Sequence, residues 1–580
     1  MEKNFRVCLV LPRSKVRRSS AISMAGAEHL GQASLASVLR QEGYPVELIN
    51  YQLVDFFNEW DNLEKNEFDI LESAEYILRF NPDMVGFCVT SMTFDSASEL
   101  SIQLKQIKPD IKIVWGGPQS TLEASNIIEN EDYIDCIAVG DGEETIIDLA
   151  DAFLQKKSIS DIEGICYKES GKVINKGLRT PPELSDKPFA ARDILDKMKR
   201  QVDQIKEARM TTSRGCTHKC SFCIDSKRYN RKWYARDAKH VVDEMEMLQK
   251  NYGIEVLWIS DDNYLTSATH TKKRARAIAE EIIKRDLKVA YRVRFRADAF
   301  DIDNKDDHEL LEILRKSGLS MAFIGFESGS ETRLQQYSKN VTLKQYYDIV
   351  ELCNHYGIGI QVGFIMFDPF TRFQYIREDI NFLCDIRESY LFSNYIQSLD
   401  VFTGTPIFEE MREKGLVTKD FGYKSSYCDY VFEDKKVETL ARNMENLHTS
   451  EAIVRDKILQ RLNILDIPNI VIEMKEKVEL NEITPDVVEE FVKQKDEIFL
   501  NLNLENRDFF LKCIDLAENE WDDVTYENYK IAINEIVDAY LSQLIDLLDE
   551  YKERVGYTTS YTTFWGDGQT EANVSTSCNI

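Results

Sequence analysis

A chain of 580 residues, 43% hydrophobic and 30% charged, is long enough for roughly three or four domains and apolar enough to bury sizeable cores. Its 72 Lys+Arg against 100 Asp+Glu leave a net charge of −28, which argues against a nucleic-acid partner, whose phosphates call for a basic surface. No run approaches the roughly 18 apolar residues of a membrane span, no secretory cleavage pattern follows the start MEKNFRVCLVLP, and twelve mostly isolated cysteines suit a reducing compartment, so the cytoplasm is the expected location.

Residues 5–11 (FRVCLVL) read as a strand that ends at Pro12, followed by a polar, basic loop and a helix from Gln32 to Glu42 closed by Gly43. Further strands are expected at Val46–Asn50, Met84–Val89, Ile111–Trp115 and Cys136–Val139, with a helix around Ser96–Lys108. Short apolar strands alternating with helices predict an α/β fold, a doubly wound, Rossmann-like parallel sheet over 1–155. Ligands of such sheets sit at the strand carboxyl ends. Those ends carry Pro12, Thr90-Ser91-Met92, Gly116-Gly117 and Gly140-Asp141-Gly142-Glu143. Glycine pairs there allow close approach of backbone to a large ligand. Residues 156–208 read as a connector rich in Gly, Pro and charge, with a small hairpin at Ile165–Tyr167 and Val173–Asn175.

At Thr211–Cys223, TTSRGCTHKCSFC, three cysteines stand as C-x3-C-x2-C at Cys216, Cys220 and Cys223. Without a disulfide-rich context, three thiols in eight residues point to a soft metal centre. Zinc would need a fourth ligand, and none follows at a usual spacing. A 4Fe-4S cluster accepts three thiolates and leaves one iron open. Around this loop, strands are expected at Met210–Ser213, Glu255–Ser260, Arg292–Arg296, Met321–Phe326, Gly359–Met366 and Ile396–Phe402, with helices such as Ala268–Arg285 and Asp306–Ser317. That pattern predicts a partial (β/α)6 TIM-type barrel over 209–428 with its site at the strand carboxyl ends. Beyond it, an acid-rich segment with helical periodicity (Ile533, Ile536, Val537, Tyr540, Leu544) predicts a helical domain over 429–555. The tail 556–580 is Ser/Thr-rich, yet Tyr557, Tyr561, Phe564 and Trp565 suit docking onto the body.

The cysteine loop, with Phe222 as the aromatic of C-x3-C-x-aromatic-C, resembles that of the radical S-adenosylmethionine (SAM) superfamily. The resemblance implies that Cys216, Cys220 and Cys223 hold a 4Fe-4S cluster whose fourth iron is chelated by SAM. It also implies that Asp261 and Asp262 lie near the methionine amine, Arg296 near the carboxylate, and Glu327 and Ser328 near the ribose. The residue types alone equally allow Asp262 to cap a helix and Arg296 to pair on the surface. One departure is FDPFT (367–371), where family members often carry G-x-P-x-E-T, which puts contacts from that loop in question.

The order of GGPQST after the fourth strand and VGDGEET after the fifth resembles the cobalamin-binding domain of one large radical SAM class. This implies cobalamin at the loops named above. The D-x-H-x-x-G motif is absent, which implies no histidine below the cobalt. The class implies a methyltransferase acting on an unactivated carbon of a natural product or peptide, served by a reductant such as flavodoxin or ferredoxin, with no nucleic acid and no membrane. The alternative within the class is a non-methylating cyclisation, ring contraction or oxidation. A cofactor-carrying sensor would have no evident use for Asp261, Asp262, Arg296 and Glu327. An RNA methylthiotransferase would want three more cluster cysteines and a basic appendage.

Overall fold

The computed structural model describes residues 3–14, 28–52, 69–197, 206–447, 450–519 and 521–559. Five short strands, β1 (Val7–Leu11), β2 (Val46–Asn50), β3 (Met84–Cys88), β4 (Lys112–Gly116) and β5 (Cys136–Ala138), pair in parallel in the order β2-β1-β3-β4-β5. They are apolar without alternation because helices cover both faces, and every residue of β1 is buried. The helix Leu30–Gln41 packs on one face through Ala36 and Leu39, while Phe94 of the helix Phe94–Ile107 meets Trp115 edge-on at 5.3 Å on the other. The hairpin expected in the connector is β6 (Ile165–Glu169) and β7 (Lys172–Asn175). It adds to β5 antiparallel, so the sheet has seven strands and the connector's first half belongs to it.

The second sheet is parallel and five-stranded, ordered β14-β13-β12-β11-β8, from β8 (Glu207–Met210), β11 (Val256–Ile259), β12 (Ala290–Arg296), β13 (Leu319–Glu327) and β14 (Gly359–Phe364). A two-residue antiparallel pair, β9 (Ser213–Arg214) with β10 (Tyr234–Ala235), frames the cysteine loop. The segment expected as a sixth strand, Ile396–Phe402, instead follows the end of β14 through a bridge between Phe367 and Ser398. The ladder stops there because Asp368 turns the chain: Asp368 Oδ1 accepts from the Phe370 amide at 2.7 Å, its own amide donates to Thr371 Oγ1 at 2.8 Å, and Pro369 has no amide to give.

Helices dominate from Lys435 onward, among them Pro485–Asn519 and Asp523–Val555. The long helix is fastened to the barrel by two buried amides. Asn503 donates to Cys384 O at 3.0 Å, and Asn506 donates to Ser389 O and Tyr390 O, both at 3.1 Å. Tyr557 is buried, its hydroxyl donating to Leu548 O, while Tyr561, Phe564 and Trp565 lie outside the described residues.

Candidate active site

The cysteine loop leaves the end of β8 through a glycine that nothing else could replace. Gly215 has φ +85°, and a Cβ there would lie 2.2 Å from Lys232 O. Its amide donates to Asp262 Oδ2 at 2.9 Å. Asp261 is fully buried and accepts from Thr212 N (2.6 Å), Thr212 Oγ1 (2.5 Å) and Ser213 Oγ (2.6 Å). Both aspartates therefore shape the loop: Asp261 ties the end of β11 to the chain leaving β8, and Asp262 orients the turn into Cys216.

Cys216, Cys220 and Cys223 are partly exposed thiols outside any disulfide. Among the described residues, no group of three or more His, Cys, Asp or Glu side chains forms a site for a single metal ion. A 4Fe-4S cluster asks for less convergence, since each thiolate takes a separate iron. Burial pushes the Cys223 thiol up to about 12, with Asp225 adding to it, and burial also raises Cys216, so ligation must displace protons. The donor set fits a cluster in a further respect. Polar atoms around the loop are buried without partners: Asn263 Nδ2 and Oδ1 and His218 Nε2. Burial and the nearby Arg296 hold His218 down to about 4, so its ring is neutral at neutral pH.

Arg296 ends β12 and points at this loop. It forks onto Asp298 (Nε–Oδ1 2.8 Å, Nη2–Oδ2 3.2 Å), donates to Lys339 O at 2.6 Å, and brings Nη1 to 3.6 Å from Cys220 Sγ. A guanidinium held beside a cluster thiol is a natural seat for a carboxylate. Glu327 lies at the end of β13 with φ +67° and pairs with Lys339 at 2.6 Å. Ser328, by contrast, is fully buried and donates to Asp379 Oδ1 at 2.6 Å. Through that bond it braces the fold. In FDPFT, Asp368 is committed to Arg333 (2.9 Å) and to the Tyr337 hydroxyl. That network supports the loop from below: Tyr337 O accepts from Ser221 N at 2.9 Å, and its ring meets Phe222 edge-on at 5.4 Å.

The loops at the carboxyl edge of the first sheet face the same region. Arg214, immediately before Gly215, reaches Glu143 Oε1 at 2.6 Å and Asp141 Oδ1 at 3.2 Å. Burial raises the Glu143 carboxyl, but the Arg214 guanidinium outweighs it and holds Glu143 below the usual range. The short helix Asp225–Arg228, just after Cys223, packs on the short helix Pro118–Leu122 that follows Gly116-Gly117. Gly117 has φ +95°, and a Cβ there would come within 2.9 Å of Val89 O, so its glycine serves packing of β4 on β3. Gly116 is unobstructed, the nearest atom to an added Cβ being Ala138 Cβ at 3.8 Å. Ser120 Oγ and Asp141 Oδ2 are buried without partners at this edge, as an amide-rich ligand such as a corrin would require.

The other expected loop residues have mixed uses. Ser91 donates to Gln119 Oε1 at 2.8 Å, and both bind the Ser426 amide, which closes the far side of the edge. Thr90 N is capped by Thr93 Oγ1 at 2.9 Å, Pro12 O accepts from Gln52 Nε2 at 3.1 Å, and Met92 is half-buried. Gly140 N is satisfied by Thr121 Oγ1 at 3.1 Å, and Gly142 caps the helix Glu143–Leu154.

Residue-type reasoning passed over several neighbours. Arg214 stands inside the quoted motif, and only tertiary placement reveals its partners. Asn263 directly follows Asp261-Asp262. His29, at the start of the helix Leu30–Gln41, accepts from Gln32 N through Nδ1 at 3.1 Å and turns Nε2 to Cys88 Sγ at 3.4 Å. The pair sits between β1 and β3, where the strand order of the sheet reverses.

Residues 210–383 match the family model of the radical SAM superfamily, and residues 26–150 that of the B12 binding domain. The chain carries a radical SAM domain and a B12-binding domain. Its cofactors are accordingly a 4Fe-4S cluster, SAM and cobalamin. It is 28% identical over 368 residues to an uncharacterised methyltransferase of Pyrococcus horikoshii, covering 63% of this chain and 75% of that one. It is 30% identical over 299 residues to the anaerobic magnesium-protoporphyrin IX monomethyl ester cyclase of Rubrivivax gelatinosus, covering 50% of this chain and 52% of the cyclase. The chain thus spans only about half of that cyclase.

In fold it is similar to the cobalamin-dependent SAM radical enzyme OxsB with aqua-cobalamin and SAM bound (TM-score 0.65, 18% identity, 96% of this chain and 82% of that one). It is also similar to the radical SAM methyltransferase TsrM of Kitasatospora setae (TM-score 0.55, 19% identity, 72% and 76%). No helix among the described residues is long and apolar enough to cross a membrane.

Proposed function

We propose that this radical SAM enzyme is a cobalamin-dependent methyltransferase acting on an unactivated carbon of a small-molecule or peptide natural product. The reading places it in the cytoplasm, with electrons from a flavodoxin- or ferredoxin-type reductant and no nucleic-acid partner. The observation that carries it is the Arg214 bridge to Asp141 and Glu143, which sets the three-cysteine loop against the carboxyl edge of the B12 sheet. Two cofactor sites built to face one another suit a reaction that uses both on one substrate.

Side-chain acid–base chemistry cannot generate a carbon radical, since side-chain pKa values lie far below that of an alkyl C–H. When bound, the cluster with SAM supplies a hydrogen-abstracting carbon radical, and cobalamin supplies the methyl group. The protein's part is placement. Cys216, Cys220 and Cys223 hold the cluster. Arg296, whose Nε and Nη2 are held by Asp298, would offer Nη1, beside Cys220, to the SAM carboxylate, with the unpartnered Asn263 amide and Glu327 as further polar groups of the site. Gly116, Ser120 and Asp141 would face the corrin.

The test is anaerobic turnover of reconstituted protein with a substrate panel, scoring 5′-deoxyadenosine and S-adenosylhomocysteine. Methyl transfer requires the two to accumulate about one to one with methylated product, because one SAM remethylates the cofactor and another makes the radical. Product with 5′-deoxyadenosine but no S-adenosylhomocysteine would instead establish the second reading, a non-methylating cyclisation, ring contraction or oxidation. The identity to a cyclase noted above is what favours that reading.

A further inference from the structure

Helices cover one face of the five-stranded sheet, burying Met210, Leu257, Tyr291, Val293 and Ile324 against their own apolar residues. Alternate residues therefore face the barrel interior. On that inner face Arg209, Trp258 and Arg292 are register neighbours across β8, β11 and β12. Arg294 follows two residues along β12, opposite Phe323, and Arg296 two further on, beside Cys220. The central strand thus carries a column of arginines running from the barrel floor to the cysteine loop, with Arg209 alongside.

Only part of this charge is balanced. Arg296 has Asp298. Arg292 lies over the Trp258 ring at 4.3 Å and 3.7 Å from Glu207 Oε1, while Glu207 Oε2 accepts from Trp258 Nε1 at 3.0 Å. The Arg209 and Arg294 guanidinium groups have no hydrogen bond or ion pair among the described residues; Arg294 only overlies the Phe323 ring at 5.3 Å. Burial lowers the pKa of Arg209 and Arg292, and the like charges of Arg294 and Arg461 respectively lower them further, while Glu207 and Glu28 near Arg209, and Glu207 and Asp466 near Arg292, offset part of this. Arg294 nevertheless remains exposed at the middle of the central strand, so the inner face lines an open space. Those carboxylates balance only part of the charge, and an anion entering this space would relieve the repulsion between Arg209 and Arg294. Arginine's planar fork matches carboxylate and phosphate oxygens.

We propose that Arg209, Arg292 and Arg294 recognise a carboxylate or phosphate group on the enzyme's substrate, with Trp258 and Phe323 as aromatic walls beside it. That the anion belongs to the substrate rests on the radical SAM reading; that an anion binds there does not.

The experiment is phenylglyoxal labelling of the full-length reconstituted protein without SAM, mapped by peptide mass spectrometry. Arg209 and Arg294 should be labelled, and labelling should slow by about tenfold or more with saturating pyrophosphate or benzoate, as expected of a charge-assisted fork. Pyrophosphate protection alone assigns a phosphate, and benzoate protection alone a carboxylate. In R294Q, protection of Arg209 should be lost. Protection by neither anion, or equal protection by hydroxocobalamin or SAM, overturns the proposal. Iron content and 5′-deoxyadenosine formation in the same sample separate the two readings. A sample that forms 5′-deoxyadenosine without anion protection sinks this site alone. One that is protected but holds no cluster sinks the radical reading and leaves the anion site standing.

Discussion

Arg214 Nη2 lies 2.6 Å from Glu143 Oε1, and this contact fastens the residue before the cysteine loop's entry glycine to the carboxyl edge of the B12 sheet. Glu143 is almost fully buried, so R214Q would strand its charge, and loss of one partner from a buried pair costs about 3–5 kcal/mol. R214Q should lower the midpoint of thermal unfolding and weaken cobalamin retention while the cysteines still take up iron. Unchanged cobalamin retention would mean that the bridge does not organise the shared site.

The same pair sets a pH dependence. Glu143 is held below its ordinary value, so its stabilisation is present above the unfolded-state pKa of about 4.3 and is lost as pH falls through the lower folded value. Thermal unfolding of wild type and E143Q should therefore differ most at neutral pH and converge in acid. A gap that widens on acidification would contradict the assigned direction.

Replacing Cys216, Cys220 and Cys223 together with Ala should abolish the iron–sulfur absorbance and leave the unfolding midpoint near that of the cluster-free wild-type protein. All three side chains are only partly buried, so little packing is lost. Tight zinc in the wild-type protein, with no cluster rebuilt from iron and sulfide under anaerobic conditions, would refute the cluster assignment.

His29 stands just before the first helix, at the carboxyl edge of the B12 sheet. Its Nδ1 accepts from Gln32 N, which leaves Nε2 as the N–H that faces Cys88. Neither nitrogen is available, so electron paramagnetic resonance of the cobalt(II) form should lack nitrogen superhyperfine splitting. Splitting that disappears in H29A would show that the ring leaves Cys88 to ligate cobalt.

How much was legible beforehand depended on whether a residue's role is local. The five strands of the first sheet could be located because burial on both faces leaves unbroken apolar runs such as Val7–Leu11. The cysteine spacing is equally local. Asp261 and Ser328 had the right chemistry at strand ends, but the fold consumes it, in three hydrogen bonds from Thr212 and Ser213 and in one to Asp379. The β6–β7 hairpin was visible as a hairpin, whereas its pairing with β5 was not, since edge pairing leaves no periodic trace. The arginines of β12 alternate with Tyr291, Val293 and Phe295, a pattern that reads as an ordinary one-sided strand until the helices show which face is closed.

Glu327 offers the last prediction. It ends β13 in the left-handed region, at φ +67°, just after a register shift against β14 at Gly325. A side chain other than glycine is held there against a cost of roughly 1–3 kcal/mol, which marks a position whose geometry is imposed by its surroundings. The bulge folds the carboxylate back over Gly325, where it meets Lys339. A Cβ at Gly325 would lie 2.4 Å from Glu327 Oε1 and 3.1 Å from Lys339 Nζ. G325A should therefore displace the Glu327–Lys339 pair without touching the cysteines. If Glu327 binds the ribose hydroxyls of SAM, equilibrium dialysis should show SAM affinity falling about tenfold in both G325A and E327Q, the value of one charge-assisted hydrogen bond. The cluster spectrum should be unaltered in both. SAM affinity preserved in G325A but lost in E327Q would mean that the carboxylate acts from some position other than the one over Gly325. Affinity preserved in both would remove Glu327 from the cofactor site and leave its strained backbone serving only to seat Lys339.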